Sequence, residues 1–241
     1  MSIMTVGAFD VGFAQSKIVF PDYCMCGQFP STVAEPPADM AGMSNGSKIY
    51  RMDYGTFVYG NDALKPGMKQ IALLDEVMLI KHMPGFICAS TDALNYDVLR
   101  YTDVLSTGLP LHAWSKHRAS LQQSLKSISC NDITYKFKRV DIRPQVLGSL
   151  GRHSILSWEC PNGLILDIGA FSMQVVRHNY FKPIANGSRQ YNSLGILSAA
   201  RDLVPLLTEI TGGISVTDHA ALKPAFPVYC NEAGGTTPIA S

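Results

Sequence analysis

Charge is scarce in this sequence: 16% of its 241 residues are Asp, Glu, Lys or Arg, and 20 basic against 19 acidic side chains leave a formal net charge of +1. That balance gives no global attraction to nucleic acid or anionic lipid, so neither direct nucleic-acid binding nor membrane binding is expected. No apolar run approaches the roughly 20 residues that span a bilayer. The N-terminus, MSIMTVGAFDVG, lacks a basic region ahead of a long apolar core. It reads as a strand rather than a signal peptide, and a cytoplasmic protein is expected. Paired cysteines are missing too. Cys24, Cys26, Cys88, Cys130, Cys160 and Cys230 are scattered without a CxxC pair, which excludes the usual zinc spacing and favours reduced thiols. The six histidines are equally dispersed, and His112 and His117 beside Trp114 have no evident carboxylate partner.

What is present is a globular composition, 46% hydrophobic, long enough for one large domain or two ordinary ones. Thr5–Phe20 reads as a β-hairpin, an apolar strand and a second strand joined by a turn with Asp10, Gly12, Gln15, Ser16 and Lys17. The chemistry of that tip suits a phosphate. Asp10 can hold magnesium through water, Gly12 lets the backbone approach closely, and Lys17 places a point charge. A charged, Gly-containing tip is also an ordinary surface turn. A second stretch, Gly163–Val176, repeats the design with Asp167 in an Asp-x-Gly turn. Two such hairpins far apart suggest two related half-domains facing one ligand.

Between them the pattern is mixed. Pro21–Asn45 reads as a loop with at most a short strand at Ser31–Ala34, and Lys48–Met52 with Gly55–Tyr59 as a hairpin. Gly60-Asn61-Asp62-Ala63 reads as a helix start with Asn61 or Asp62 as N-cap. Lys65–Gly85 is a buried element of either type. Thr91–Leu105, with Leu94, Val98, Tyr101 and Leu105 at helical spacing, predicts an amphipathic helix broken by Ser106-Thr107-Gly108-Leu109-Pro110. A further helix carries Trp114, Leu121, Leu125 and Ile128 as far as Cys130. Strands at Ile133–Phe137 and Val140–Arg143 end at Pro144, and Gln145–Leu156 has a helical pattern. Beyond the second hairpin come a strand at Tyr180–Ile184, a helix from about Ser193 through Ile210 with Gly212 or Gly213 as C-cap, a short strand at Phe226–Cys230 and a turn at Gly234-Gly235.

In this order the pieces resemble the actin-like ATPases, within the superfamily that also holds the Hsp70 and sugar-kinase folds. Asp10-Val11-Gly12-Phe13-Ala14-Gln15-Ser16-Lys17 looks like the superfamily's first phosphate loop, and Leu166-Asp167-Ile168-Gly169-Ala170-Phe171-Ser172 like its second. Thr107-Gly108-Leu109-Pro110, Tyr59-Gly60-Asn61-Asp62-Ala63, Pro144-Gln145 with Gly148, and Asn192-Ser193-Leu194-Gly195 are similar to steps of the plasmid-segregation, ParM- or StbA-like branch. The likeness covers Thr5 to Gly213.

The resemblance implies an α/β, actin-like (ribonuclease H-like) fold with mixed sheets and two lobes, 1–145 and 146–241, the second short or truncated. It implies ATP or GTP with Mg as cofactors, Asp10 and Asp167 on the magnesium's water shell, and Gly12, Gln15, Ser16, Lys17, Gly169, Ala170 and Ser172 around the phosphates. Gln145 would orient the attacking water, although it can also simply cap the helix after Pro144. The implied function is a filament-forming ATPase that segregates plasmid DNA, with self-association and a DNA-bound adaptor protein as partners. Ala170 and Phe171 depart from the family's glycine and small residue, and Gln174 stands where a carboxylate is frequent. Ala170, Phe171 and the short second lobe favour the alternative of a non-hydrolysing nucleotide-binding adaptor or scaffold. A phosphotransferase would need a catalytic carboxylate that has no obvious place here.

Overall fold

A computed structural model describes residues 4–37, 46–73, 75–94, 97–156, 162–169, 172–184, 187–192 and 194–196. The chain clusters into two compact units, Met1–Asp167 with Gln174–Gln190, and Ile168–Met173 with Tyr191–Ser241.

The first unit is built on a five-stranded sheet of order β11 (Arg139–Pro144), β8 (Val104–Leu109), β1 (Val6–Val11), β2 (Gln15–Phe20) and β3 (Met25–Pro30). Strands β1 (Val6–Val11) and β2 (Gln15–Phe20) form the expected antiparallel hairpin, with Asp10 opposite Lys17 and Val11 opposite Ser16. Strict alternation sends Phe9, Val11, Ile18 and Phe20 into the core and leaves Asp10, Gln15 and Lys17 exposed. The loop expected at Pro21–Asn45 is replaced in its first half by a 3₁₀ turn and a full strand, β3 (Met25–Pro30), paired antiparallel to β2 along its length. Ladder bonds to β2 override the weak strand propensity of its Gly27 and Pro30. A short strand, β4 (Val33–Glu35), lies near the expected position.

The hairpin β5 (Tyr50–Met52) and β6 (Gly55–Tyr59) forms as read. Gly60–Leu64 is a 3₁₀ turn, and neither Asn61 nor Asp62 caps it; Asp62 instead accepts the Lys48 N–H at 2.8 Å and pairs with Lys65 at 2.7 Å. After β7 (Lys69–Ile71) comes α1 (Glu76–Ala93), whose N-cap Asp75 accepts the Met78 N–H at 2.9 Å. It buries Leu79, His82, Met83, Phe86 and Ile87 against the sheets despite Pro84 in its interior.

The helix expected over Thr91–Leu105 does not form. Its first residues are the end of α1, Val98–Tyr101 is a 3₁₀ turn, and Val104–Leu109 is β8. Parallel neighbours β1 and β11 flank β8; of the four residues at helical spacing, Leu94 caps α1, Val98 and Tyr101 belong to the 3₁₀ turn and only Leu105 lies in β8, so the spacing ran across three separate elements. Pro110 then opens α2 (Leu111–Leu125). This helix ends before Ile128, which belongs to β9 (Ser127–Cys130), hairpinned to β10 (Ile133–Lys136). Strand β11 (Arg139–Pro144) closes the first sheet, and α2 lies over it, with the Trp114 indole N–H donating to the Ile142 carbonyl at 3.0 Å and the Gln122 amide to the Val140 carbonyl at 2.6 Å.

A second sheet has the order β10-β9-β5-β6-β4-β7. Helix α3 (Val146–Leu156) follows Pro144 as read. The second hairpin consists of β12 (Gly163–Ile168) and β13 (Ser172–Asn179), joined in one sheet by β14 (Lys182–Pro183) and β15 (Arg189–Asn192). Ala170, Phe171, Ser193, the rest of the helix expected to Ile210, its C-cap, the strand at Phe226–Cys230 and the Gly234-Gly235 turn lie outside the described residues.

Candidate functional site

Strand β1 delivers Asp10 to the exposed side of its hairpin, and the cross-strand register places Lys17 opposite it. The turn between them is closed by the Gly12 N–H donating to the Gln15 carbonyl at 3.0 Å, and a Cβ on Gly12 would stand 3.0 Å from that same oxygen. Any larger residue there pushes the turn open. The second Asp-x-Gly turn is closed in the same way: the Gly169 N–H donates to the Ser172 carbonyl at 2.8 Å, and the Gly169 carbonyl accepts the Ile196 N–H at 3.0 Å. The two turns therefore share a construction as well as a sequence pattern.

Gln145 arrives from a different direction. It follows the last residue of β11, its N–H donates to the Leu109 carbonyl at 2.9 Å, and its side-chain amide donates to Asp10 Oδ1 at 2.9 Å. The same residue's carbonyl accepts the Gly148 N–H at 3.0 Å, so it starts α3 as well as reaching the site. Room for this reach comes from Gly108 on β8, where a Cβ would meet Gln145 Cγ at 2.6 Å and Gln145 Cα at 3.2 Å. Sequence reading placed Gly108 in a family-like step that breaks a helix, without assigning it this task; in the structure it is a glycine inside a strand, which marks a close approach.

Asp167, at the end of β12, lies close enough to feel the same charges. Burial holds its carboxyl above the ordinary value, the Asp10 carboxylate pushes it further up, and Lys17 pulls it back. Thus Asp10, Lys17, Gln145 and Asp167 converge within the first unit, whereas Gly169 and Ser172 belong to the other. Ser16 faces away from Lys17: it is 2% exposed, with its Oγ 2.7 Å from that of Ser31. Only its backbone borders the turn. Ala170 is outside the described residues.

Among the described residues no group of three or more His, Cys, Asp or Glu side chains is placed to hold a metal. Two carboxylates beside one lysine nevertheless fit magnesium, which keeps most of its water and takes few protein ligands. The repulsion between Asp10 and Asp167 is the kind of frustration that a divalent cation relieves.

Gln174 is the second residue whose role was not legible. It is 4% exposed, and its side-chain oxygen accepts the Leu111 N–H at 3.0 Å at the start of α2, where Pro110 offers no capping side chain. Gln190 accepts the next N–H, that of His112, at 3.3 Å. The helix is thus capped from distant strands rather than by its own sequence.

The family model for the N-terminal domain of actin-like proteins matches residues 8–148, more than half of the chain. Among solved structures, the archaeal actin homolog Ta0583 superposes with a TM-score of 0.66 at 20% identity, over 92% of this chain and 71% of that one. The apo pSK41 ParM protein gives 0.59 at 17% identity, over 96% and 80%. The AlfA filament bound to AMPPNP gives 0.62 at 12%, over 86% and 76%. A search of curated protein sequences finds no match. No helix among the described residues is long and apolar enough to cross a membrane. With its mixed sheets, paired Asp-x-Gly turns and matching N-terminal domain, this chain has the actin-like fold and belongs to the actin-like proteins.

Proposed function

We propose that this protein binds a magnesium-bound nucleoside triphosphate, ATP or GTP, at the Asp10 and Asp167 turns, hydrolyses it, and assembles with copies of itself into filaments that move plasmid or other DNA through an adaptor protein. The observation that carries the reading is the 2.9 Å bond from Gln145 to Asp10, beside an Asp167 whose carboxyl is raised first by burial and then by Asp10. It supports Gln145 as the residue that would orient the attacking water beside the Asp10 turn.

Asp10 and Asp167 would hold the magnesium through its water shell, where the ion supplies charge neutralisation at the phosphates. Lys17 contributes a fixed positive charge on the same exposed strand face. The N–H groups of the first turn that are not spent on the Gly12 closure would cradle phosphate oxygens. Gln145 uses its amide N–H on Asp10, and its side-chain oxygen remains to accept a hydrogen bond from water and so orient it. The likeness to proteins solved with ADP and, as a filament, with AMPPNP supports both nucleotide binding and self-association.

The first test is magnesium-dependent binding of a fluorescent ATP analogue to the purified chain beside Asp10→Ala and Asp167→Ala. Binding in the wild type that both variants lose is expected. A well-folded wild type that binds neither ATP nor GTP refutes the reading.

The capping role of Gln174 favours a second reading, a nucleotide-binding adaptor that does not hydrolyse. A buried amide stands there, committed to Leu111, where a family carboxylate is frequent. Tight nucleotide binding without phosphate release would select it.

A further inference from the structure

We propose that, on the reading that the Asp10 site binds a nucleoside triphosphate, Arg143 contacts the terminal phosphate and makes the site prefer a triphosphate to a diphosphate.

Parallel strands β1, β8 and β11 end side by side at this site. Strand β8 lies between the other two, with Phe9 opposite Thr107 and Arg143 opposite Gly108. One step on from the Phe9–Thr107 pair, Asp10 comes level with Gly108. Asp10, Gly108 and Arg143 therefore form one row, each the last but one residue of its strand. Neighbours in such a row share a face of the sheet. Asp10 and Arg143 are exposed, whereas Phe9, Val11, Ile142 and Pro144, one step to either side of them, are buried. Lys17 extends the row on the other flank of Asp10. The carboxyl ends of parallel strands are where open α/β sheets bind their ligands.

Gly108 leaves the middle of the row without a side chain. Strands spaced about 4.8 Å apart put the Asp10 and Arg143 Cα atoms roughly 10 Å from each other. An arginine side chain and a phosphoryl group together span a gap of that width. Gln145 already borders it, with its Cγ over Gly108 and its amide on Asp10. The bond from the Gln145 N–H to the Leu109 carbonyl carries the strand ladder on past Pro144, so Arg143 and Gln145, two residues apart, leave the chain on the same side.

The neighbouring cations are spent. Arg139 pairs with Asp141 at 3.1 Å, and Lys138, just before β11, pairs with Asp103 at 2.8 Å. Arg143 has no ion-pair partner among the described residues. Its guanidinium offers forked donors that match phosphate oxygens. Which phosphate it meets follows from its side of the row. Gln145 would orient the water that attacks the terminal phosphate, and Arg143 stands on the Gln145 side of Asp10 while Lys17 stands on the other. The terminal phosphate is the one that a diphosphate lacks.

The test is magnesium-dependent binding of fluorescent ATP and ADP analogues, or of their GTP and GDP counterparts, to the whole chain as wild type, Arg143→Gln, Arg143→Lys and Arg139→Gln. Arg143→Gln is expected to weaken triphosphate binding about tenfold or more and diphosphate binding less than about twofold. Arg143→Lys keeps the charge without the fork and should recover part of the loss. Arg139→Gln removes the same charge roughly 13 Å back along the same face and should change neither affinity. Because Arg143 is exposed, its variants should unfold at the wild-type urea midpoint. An Arg143→Gln chain that binds triphosphate as tightly as the wild type, or that loses both nucleotides equally, overturns the inference and leaves the nucleotide reading standing. A well-folded wild type that binds neither nucleotide overturns both.

Discussion

Acidification from pH 7.5 to pH 5 is expected to cost this fold about 2 kcal/mol through one side chain, His82. His82 is fully buried on α1. Its Nδ1 lies 3.1 Å from the Tyr59 hydroxyl, its Nε2 has no hydrogen-bond partner, and the rings of Tyr54, Phe57 and Tyr59 surround it. Burial is the main reason that its pKa is pushed down to about 4 from 6.5, with Lys81 adding to the shift. The unfolded chain takes up a proton near pH 6.5 and the folded chain does not, so stability is complete above that value. It falls as the pH drops, and the loss is complete near pH 4, where the folded state also protonates. A gap of about 2.5 pK units corresponds to roughly 3 kcal/mol in full, of which about 2 kcal/mol has gone by pH 5. Urea unfolding at pH 7.5, 6 and 5 reads this directly, with His82→Gln as the control that removes the titrating ring. Above pH 5 ordinary carboxylates remain ionised, so the variant's midpoint should hold nearly steady while the wild type's falls. A wild type whose midpoint is unchanged at pH 5, or a His82 ring resonance that titrates near 6.5, would refute the reasoning.

Gly85→Ala puts a methyl group into the Tyr59 ring and should destabilise by about 1–3 kcal/mol, seen as a lower urea midpoint. Gly108→Ala displaces Gln145 from Asp10 while leaving Lys17 and both Asp-x-Gly turns in place. It should slow phosphate release about ten- to hundredfold with little change in nucleotide affinity, and equal losses in both would contradict the assigned role of Gln145. Gln174→Leu leaves the first, part-buried N–H of α2 without its acceptor and should cost about 1 kcal/mol in the same urea assay.

How much of this was legible depends on what each segment hides. The β1–β2 hairpin was readable because one of its faces meets water, which imprints an alternation on the sequence; that alternation also puts Ser16 on the core side, away from Lys17. The start of strand β8 was misread because Leu94, Val98, Tyr101 and Leu105 fall by chance at helical spacing across the end of α1, a 3₁₀ turn and the strand, and nothing local marks the breaks between them. Strand β3, with Gly27 and Pro30, is held by six residue pairs with β2 that no local propensity reports. At the site, the Asp-x-Gly spacing announced the two turns. The convergence of Gln145 on Asp10 entered only through the family resemblance, and it depends on Gly108 and a strand crossing 135 residues from Asp10 in sequence. Capping of α2 by Gln174 was invisible for the same reason, since nothing near Leu111 marks its partner.

The seal along β11 has a consequence for how any other chain could meet this protein. That strand ends its sheet, and the bonds from Trp114 and Gln122 occupy two of the carbonyls that another chain's backbone would otherwise seek. On that side the sheet cannot lengthen by borrowing a strand. A neighbour there has only side chains to hold, so any joint it makes can be loosened by salt or by a change in one charge, and a polymer built from such joints can come apart without any subunit having to unfold.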